Sequence, residues 1–332
     1  MKKKKRVSYA KYGYLFSLPF VLAFLLCMLY PIICTFIFGF TDLKTNINGE
    51  WHFIAGSDGG LWKNYKDLFS NELFRTSFLN TVKIWIVNFI PQILLALLLS
   101  AWFTNNSLKI KGKGFFKVVF YMPNIITAAT IAYLFRSMFT YSTASMGPIN
   151  QFIGLFGADP VDWTNTPPYP QIIVAFIQFW QWYGNTMIVL ISGILGISPE
   201  LYEAASIDGA TGTQQFFKIT IPNLKTILLY TLVTSMVGGI QMFDIPLSFL
   251  NGMPDNTTYT ASMFIYKQAF QGMKRYNLAS AASMVMFVVI AFFSCILFFV
   301  MRDKDAAMIR KINKKAEKEF KRKMKEEGGM SA

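Results

Sequence analysis

A polar stretch between two long apolar segments carries the residues best suited to holding a partner. It reads Glu203-Ala204-Ala205-Ser206-Ile207-Asp208-Gly209-Ala210 and, after a further eight residues, Ile219-Thr220-Ile221-Pro222. Glu203 offers a carboxylate for charge-assisted hydrogen bonds. Ala204, Ala205 and Ala210 leave room for close approach, and Gly209 permits the positive φ of a sharp turn. A second concentration lies upstream, where Gln178, Trp180, Gln181, Trp182, Tyr183, Asn185 and Thr186 crowd into three turns of an apolar segment. Aromatic faces with amide donors suit a sugar, whose C–H faces stack and whose hydroxyls need partners. Amides and small residues also hold membrane helices together, so a solute path and plain packing are both open for this cluster. Ser235, Gly238, Gly239, Gln241 and Asp244 add small or polar surface to the next apolar segment.

Bond-breaking chemistry finds little support. Asp244 is the one carboxylate inside an apolar segment, and His52 is the only histidine. A lone loop histidine makes a poor zinc site, since zinc takes three or four protein ligands. Cys27, Cys34 and Cys295 all fall inside apolar segments and read as small polarizable fillers. No Gly-x-x-x-x-Gly-Lys phosphate loop occurs, so the chain is not expected to hydrolyse ATP. The reading is a non-enzyme with no cofactor and no metal.

The elements that must position these residues are six apolar stretches: 14–40, 78–103, 115–139, 172–197, 227–249 and 279–301. Each reaches the ~20 residues needed to cross a ~30 Å hydrocarbon core. Lipid leaves no backbone group unpaired, so they should be helices. Hydrophobic residues make up 53% of the 332 positions and charged residues only 15%, against about 25% charged in soluble domains. The expected fold is an all-α integral membrane protein with six transmembrane helices. It divides into a basic N-terminus (1–13), a permease-sized domain (14–301) and a basic tail (302–332).

The +14 balance gives an orientation. With six alternating spans and the N-terminus inside, the inner segments hold 23 basic residues and the outer ones 7, which places both termini and loop 198–224 in the cytoplasm. Topology and the anionic inner leaflet account for this excess without a nucleic-acid partner. The run from Lys2 to Arg6 precedes too long an apolar stretch for a signal peptide. Lys83 and Arg136 sit near the outer ends of their spans, where snorkelling accommodates them. In the outer segments, 51–65 is rich in aromatics and suggests a small ordered loop, while Asn165-Thr166-Pro167-Pro168 should not be helical. In the tail, Met308, Ile312, Ala316, Phe320 and Met324 recur every four residues. A basic amphipathic helix and a solvated tail are equally compatible with that pattern.

Within the loop, Ser198 is placed to cap, Pro199 suits the first helical position and Glu200 complements the helix N-terminus. A short helix should stop at Asp208-Gly209, and a second piece, 213–219, should lead to Pro222 and the fifth span.

The spacing of Glu203-Ala204-Ala205, Gly209 and Ile221-Pro222 resembles the signature loop of ABC-importer permeases. The fuller version, from Leu201-Tyr202 to Asp208-Gly209-Ala210, is similar to sugar-uptake permeases of the maltose-transporter type. The likeness extends to Leu29-Tyr30-Pro31, Asn64-Tyr65, Asn80-Thr81, Gly147-x-Ile149-Asn150, Phe243-Asp244 and Ala279-Ser280-Ala281. Ile221 stands where the family usually has Leu, and Gly252-Met253-Pro254 replaces its usual Gly-Gly-Pro. The resemblance implies a type I importer permease fold in a bacterial cell membrane. It implies four kinds of partner: a second homologous permease, two cytoplasmic ABC ATPases, an extracellular solute-binding protein and the lipid itself. It makes Glu203, Ala204, Ala205, Asp208, Gly209 and Pro222 the ATPase-coupling residues. It draws the solute path to Trp182, Asn185 and Ser235, and Trp180, Gln241 and Asp244 join that path as aromatic or polar residues of the same two segments. Two other classes compete. A membrane-embedded enzyme needs paired carboxylates or clustered histidines that the spans lack. An ion-coupled carrier usually shows several intramembrane acids.

Overall fold

The computed structural model describes residues 10–43, 51–54, 59–105, 110–142, 145–272 and 274–302, together with Ile312, Asn313, Ala316, Glu317 and Glu319. Those five tail residues are helical. The rest of the tail stripe, including Met308, Phe320 and Met324, lies outside the described residues, as does the basic run 2–6. Among the described residues the architecture is helical, with one isolated antiparallel bridge between Thr41 and Phe53.

The first crossing is built from α1 (Ala10–Phe24) and α2 (Tyr30–Phe38), joined by a π-helical turn at Leu25–Leu29. The cause is Pro31, whose ring would collide with the carbonyl four residues back and which has no N–H to offer it. Widening the turn by one residue relieves this, and the Tyr30 N–H reaches back to the Leu25 carbonyl. After α3 (Lys63–Ser70), α4 (Glu72–Thr104) runs 33 residues. It begins six residues ahead of the expected boundary at 78, because the Asn71 side chain accepts the Phe74 N–H (3.1 Å) and caps it early.

The expected single span 115–139 is instead two helices, α5 (Lys113–Ile125) and α6 (Ala128–Met138). Pro123 removes a donor near the end of α5, and Ile126 turns extended with ψ 140°. Then come α7 (Pro148–Gly154), α8 (Tyr169–Leu195), α9 (Pro199–Ile207), α10 (Gly212–Gln215) and α11 (Ile221–Asn223). The last elements are α12 (Lys225–Ile240), α13 (Asp244–Leu250), α14 (Ala261–Phe270) and α15 (Tyr276–Met301). Residues 165–168 are turns, as expected. Four helical stretches are long and apolar enough to cross a membrane, or six if each bent pair, α5 with α6 and α8 with α9, is one crossing.

The chain forms two compact units. The first comprises residues 1–84, 129–174 and 240–290 and is centred on Leu68, Phe74, Met263, Phe264 and Ala281. Buried amides brace its loops. Asn64 Nδ2 donates to the carbonyls of Gly39 (3.0 Å) and Thr41 (2.8 Å), and Asn277 donates to Asn64 Oδ1 (2.9 Å). Asn80 donates to the Asn256 carbonyl (2.7 Å), Gln171 donates to Asn80 Oδ1 (3.0 Å), and Thr81 Oγ1 accepts the Ala261 N–H (2.9 Å). Lys267 lies 4.8 Å from the Tyr259 ring centroid. Burial pushes the Tyr259 phenol up to about 12 and lowers the Lys267 ammonium below its ordinary value.

The second unit comprises residues 85–128, 175–239 and 291–332, and its core includes Ala96, Phe103, Tyr183, Met187, Leu190 and Leu228. Close approach sets its helix packing. A Cβ on Gly184 would collide with the Phe120 carbonyl, and one on Gly193 would lie 2.7 Å from a Leu224 methyl. One on Gly239 would lie 2.6 Å from the Trp85 ring.

Candidate functional site

The loop between α8 and α12 is an elbow whose every joint has a local cause. The chain bends by 73° between α8 and α9. Ser198 occupies the N-cap position of α9, but its side chain makes no capping hydrogen bond, contrary to expectation. With Pro199 already lacking an N–H, one orphan donor fewer needs a cap. The C-terminal stop is a Schellman motif: Ala210 N–H donates to the Ala205 carbonyl (2.8 Å) and Gly209 N–H to the Ser206 carbonyl (3.1 Å). Gly209 carries the required positive φ of 76°.

Thr211 then opens α10 with a reciprocal capping box. The Gln214 N–H donates to Thr211 Oγ1 (3.3 Å) and the Thr211 N–H to Gln214 Oε1 (2.8 Å). The expected second piece, 213–219, is longer than foreseen. It continues from α10 through a π-helical turn at Phe216–Thr220 into α11, with the Ile221 N–H reaching the Phe216 carbonyl. Pro222 therefore sits within helix, and it forces a π-turn just as Pro31 does. Two side-chain bonds staple the elbow shut: Gln215 Nε2 donates to Ser206 Oγ (3.0 Å), and the hydroxyls of Tyr202 and Thr220 lie 2.9 Å apart.

The elbow displays its chemistry outward. Glu203, Ala204, Asp208 and Gly209 are exposed, and Ala205 is half-buried. Ile207 is 87% exposed at the tip, an apolar side chain with no packing of its own. Beneath, a cavity of about 480 Å³ is lined by Thr104 and Asn105 at the end of α4, by Ile194 and Ile197, and by Glu203 and Phe216 of the elbow.

The aromatic and amide cluster of α8 divides residue by residue. Gln178, Gln181, Tyr183 and Thr186 are buried, and Trp180 packs against the core of its unit. Gln181 Nε2 donates to the Ile126 carbonyl (3.1 Å), one exposed by the break between α5 and α6. Trp182 (41% exposed) and Asn185 (half-buried), one turn apart, lie outside that core; the Trp182 carbonyl accepts the Thr186 hydroxyl (3.2 Å), but neither side chain makes a hydrogen bond or ring contact with the described residues. On α12, Ser235 is half-buried and receives a hydrogen bond from Gln92 Nε2 (3.2 Å). In the other unit, Gln241 lies exposed at the interruption after α12, and Asp244 is the exposed first residue of α13 rather than part of an unbroken span.

Sequence reasoning missed Gln92. Its amide donates to both Thr186 Oγ1 (2.8 Å) and Ser235 Oγ, tying α4, α8 and α12 together. The available signal was Asn88 and Gln92, two amides four residues apart in an apolar span. It also missed the bare Ile207.

With this geometry in place, likeness to known proteins decides the class. The profile of the family of binding-protein-dependent transport system inner membrane components matches residues 71–304. The chain belongs to that family. The lactose transport system permease protein LacF of Rhizobium radiobacter is 30% identical over 88% of this chain and 94% of its own length. The arabinooligosaccharides transport system permease protein AraP of Bacillus subtilis (strain 168) is 32% identical, covering 85% and 86%. Among solved structures, a chain of a bacterial ABC transporter involved in import of the acidic polysaccharide alginate superimposes with a TM-score of 0.71. That chain is 25% identical, with 88% and 95% covered. This family member is thus a membrane component of a binding-protein-dependent transport system, and a transport protein by class.

Proposed function

We propose that the chain is one of two homologous permease subunits in an ATP-driven importer of a sugar or oligosaccharide, working in a bacterial cell membrane. In this reading an extracellular binding protein delivers the solute and two cytoplasmic ABC ATPases supply the energy, so that hydrolysis occurs on other chains. Both termini and the elbow face the cytoplasm, a reading supported by the 23 to 7 distribution of basic residues. The permease domain is 14–301, flanked by the basic ends 1–13 and 302–332.

The observation that carries the proposal is the elbow of α9 to α11. It is a rigid, internally stapled lever with an exposed carboxylate at Glu203 and a bare apolar tip at Ile207. An apolar tip beside an unshielded acid suits insertion into a cleft of an ATPase. Glu203 anchors the lever, Ala204 and Ala205 permit close contact, Asp208 and Gly209 shape its tip, and Pro222 sets its angle into α12. Closure of the ATPase pair moves the lever, and α8 and α12 move with it. Trp182 and Asn185 form this chain's wall of the solute path. Ser235 backs that wall, and Trp180 buttresses it from the core side. Gln241 and Asp244, both exposed, are further solute contacts in this reading. The sugar assignment is supported by the substrates for which LacF and AraP are named. No observation favours an ion-coupled carrier.

The test is reconstitution of the complete transporter in lipid. ATP hydrolysis should rise when sugar-loaded binding protein is added, and Glu203→Lys should abolish that rise while the chain inserts normally. Stimulation equal to the parent in Glu203→Lys would refute the coupling assignment.

A further inference from the structure

The wall that this chain offers to a passing solute carries no cation, and the one charge assigned to the path, Asp244, is negative. From 172 to 199 and from 226 to 243 there is no Lys, Arg, His, Asp or Glu. Exposed positions on α12 recur every four residues, Thr226, Tyr230, Thr234 and Gly238, and a Cβ on Gly238 would meet nothing within 4 Å. On α8, Trp182 and Ser192 are exposed and Asn185 is half-buried, beside the exposed apolar Ile172, Phe176 and Leu195.

What these groups can offer is specific. Asn185 has its whole amide unspent, and the Trp182 ring stacks on nothing among the described residues. The hydroxyls of Thr234 and Ser192 already donate to the Tyr230 and Ile188 carbonyls (2.9 and 3.0 Å). They are left as acceptors facing outward. The buried amide of Gln92 is committed to Thr186 and Ser235, and Trp85 Nε1, buried without a hydrogen-bond partner, is a neutral donor that brings no positive charge. The two cations that fall inside spans, Lys83 and Arg136, lie outside both stretches.

Outward acceptors, a neutral amide and an aromatic face match the hydroxyls and C–H faces of an uncharged sugar. They are a poor match for a uronate chain, which brings one carboxylate per ring into a wall with nothing positive to meet it. We infer that the solute is an uncharged saccharide, and that this chain's own wall, not only the delivering protein, discriminates against acidic sugars. The inference rests on the sugar-importer reading above. It separates this chain by chemistry from the alginate importer component that it matches in fold, whose cargo is an acidic polysaccharide.

The experiment is uptake by the complete transporter of labelled neutral trisaccharides (arabinotriose, galactotriose, maltotriose) beside their acidic counterparts (trigalacturonate, trimannuronate). At least one neutral sugar should enter roughly tenfold or more faster than either uronate. Thr234→Lys, present in the membrane and assembled at the parent level, should cut that neutral uptake by roughly tenfold, because it brings a charge into the wall. Uronate uptake matching or exceeding the neutral sugars would overturn the inference and leave the sugar reading standing. Unchanged uptake in Thr234→Lys would also overturn it, because the α12 stripe would then not face the cargo. Uptake of no saccharide of either kind would bring down the sugar reading itself, and the inference with it.

Discussion

Gly209 sits where a single side chain decides whether the lever exists. Its φ of 76° closes the Schellman turn, and proline, fixed near −65°, cannot adopt it. Gly209→Pro should leave the spans inserted but lower ATP-coupled uptake by roughly tenfold or more, a coupling loss that uptake assays would read directly. Gln92→Leu tests the polar tie among α4, α8 and α12. It forfeits two buried hydrogen bonds and leaves Thr186 and Ser235 without this donor, so thermal unfolding in detergent should register a loss of about 1–3 kcal/mol. Tyr259 makes a quieter prediction. A phenol raised to about 12 from 10.0 binds its proton more tightly folded than unfolded, so its stabilising share is complete below pH 10 and is lost as pH climbs towards 12. The difference in ultraviolet titration between parent and Tyr259→Phe should show the missing tyrosine ionising near 12 rather than near 10. The residues of the elbow were legible from type and spacing, since caps, glycine turns and exposed acids obey local rules. Gln92 was harder to find because its meaning lies in partners 94 and 143 residues away.

Prolines explain most of what differs between the expected and observed elements. Pro31 and Pro222 each follow a π-helical turn, and Pro123 precedes the break that divides the expected third span. Hydropathy alone runs straight through such positions, because Pro123 and Ile126 are as apolar as their neighbours. The break is tolerated because Gln181 supplies the donor that the Ile126 carbonyl lost, which turns one candidate solute contact into a structural brace. Asn64, Asn80, Thr81 and Asn150, which carry part of the family resemblance, act the same way, each bonding backbone in its own unit. The α5–α8 contact is the sharpest test at this scale. A Cβ on Gly184 would overlap the Phe120 carbonyl, so Gly184→Val should force the helices apart and destabilise the chain by ~1–3 kcal/mol or more, visible as lost detergent-extractable protein.

At the scale of the whole molecule, the apolar crossings, six if each bent pair is one, were readable because lipid imposes length and apolarity on every span. The class was readable because the elbow's spacing is specific. How residues from separate spans gather was not written in any local pattern. Everything proposed here turns on the elbow joining a membrane component to an ATPase. The most direct measurement is co-purification of the tagged chain from native membranes in mild detergent, with bound subunits identified by mass spectrometry. A P-loop ATPase and a second permease should be recovered, with the ATPase lost from the Glu203→Lys preparation and the permease retained. Recovery of the chain alone under those gentle conditions, or an ATPase held equally well by Glu203→Lys, would contradict it.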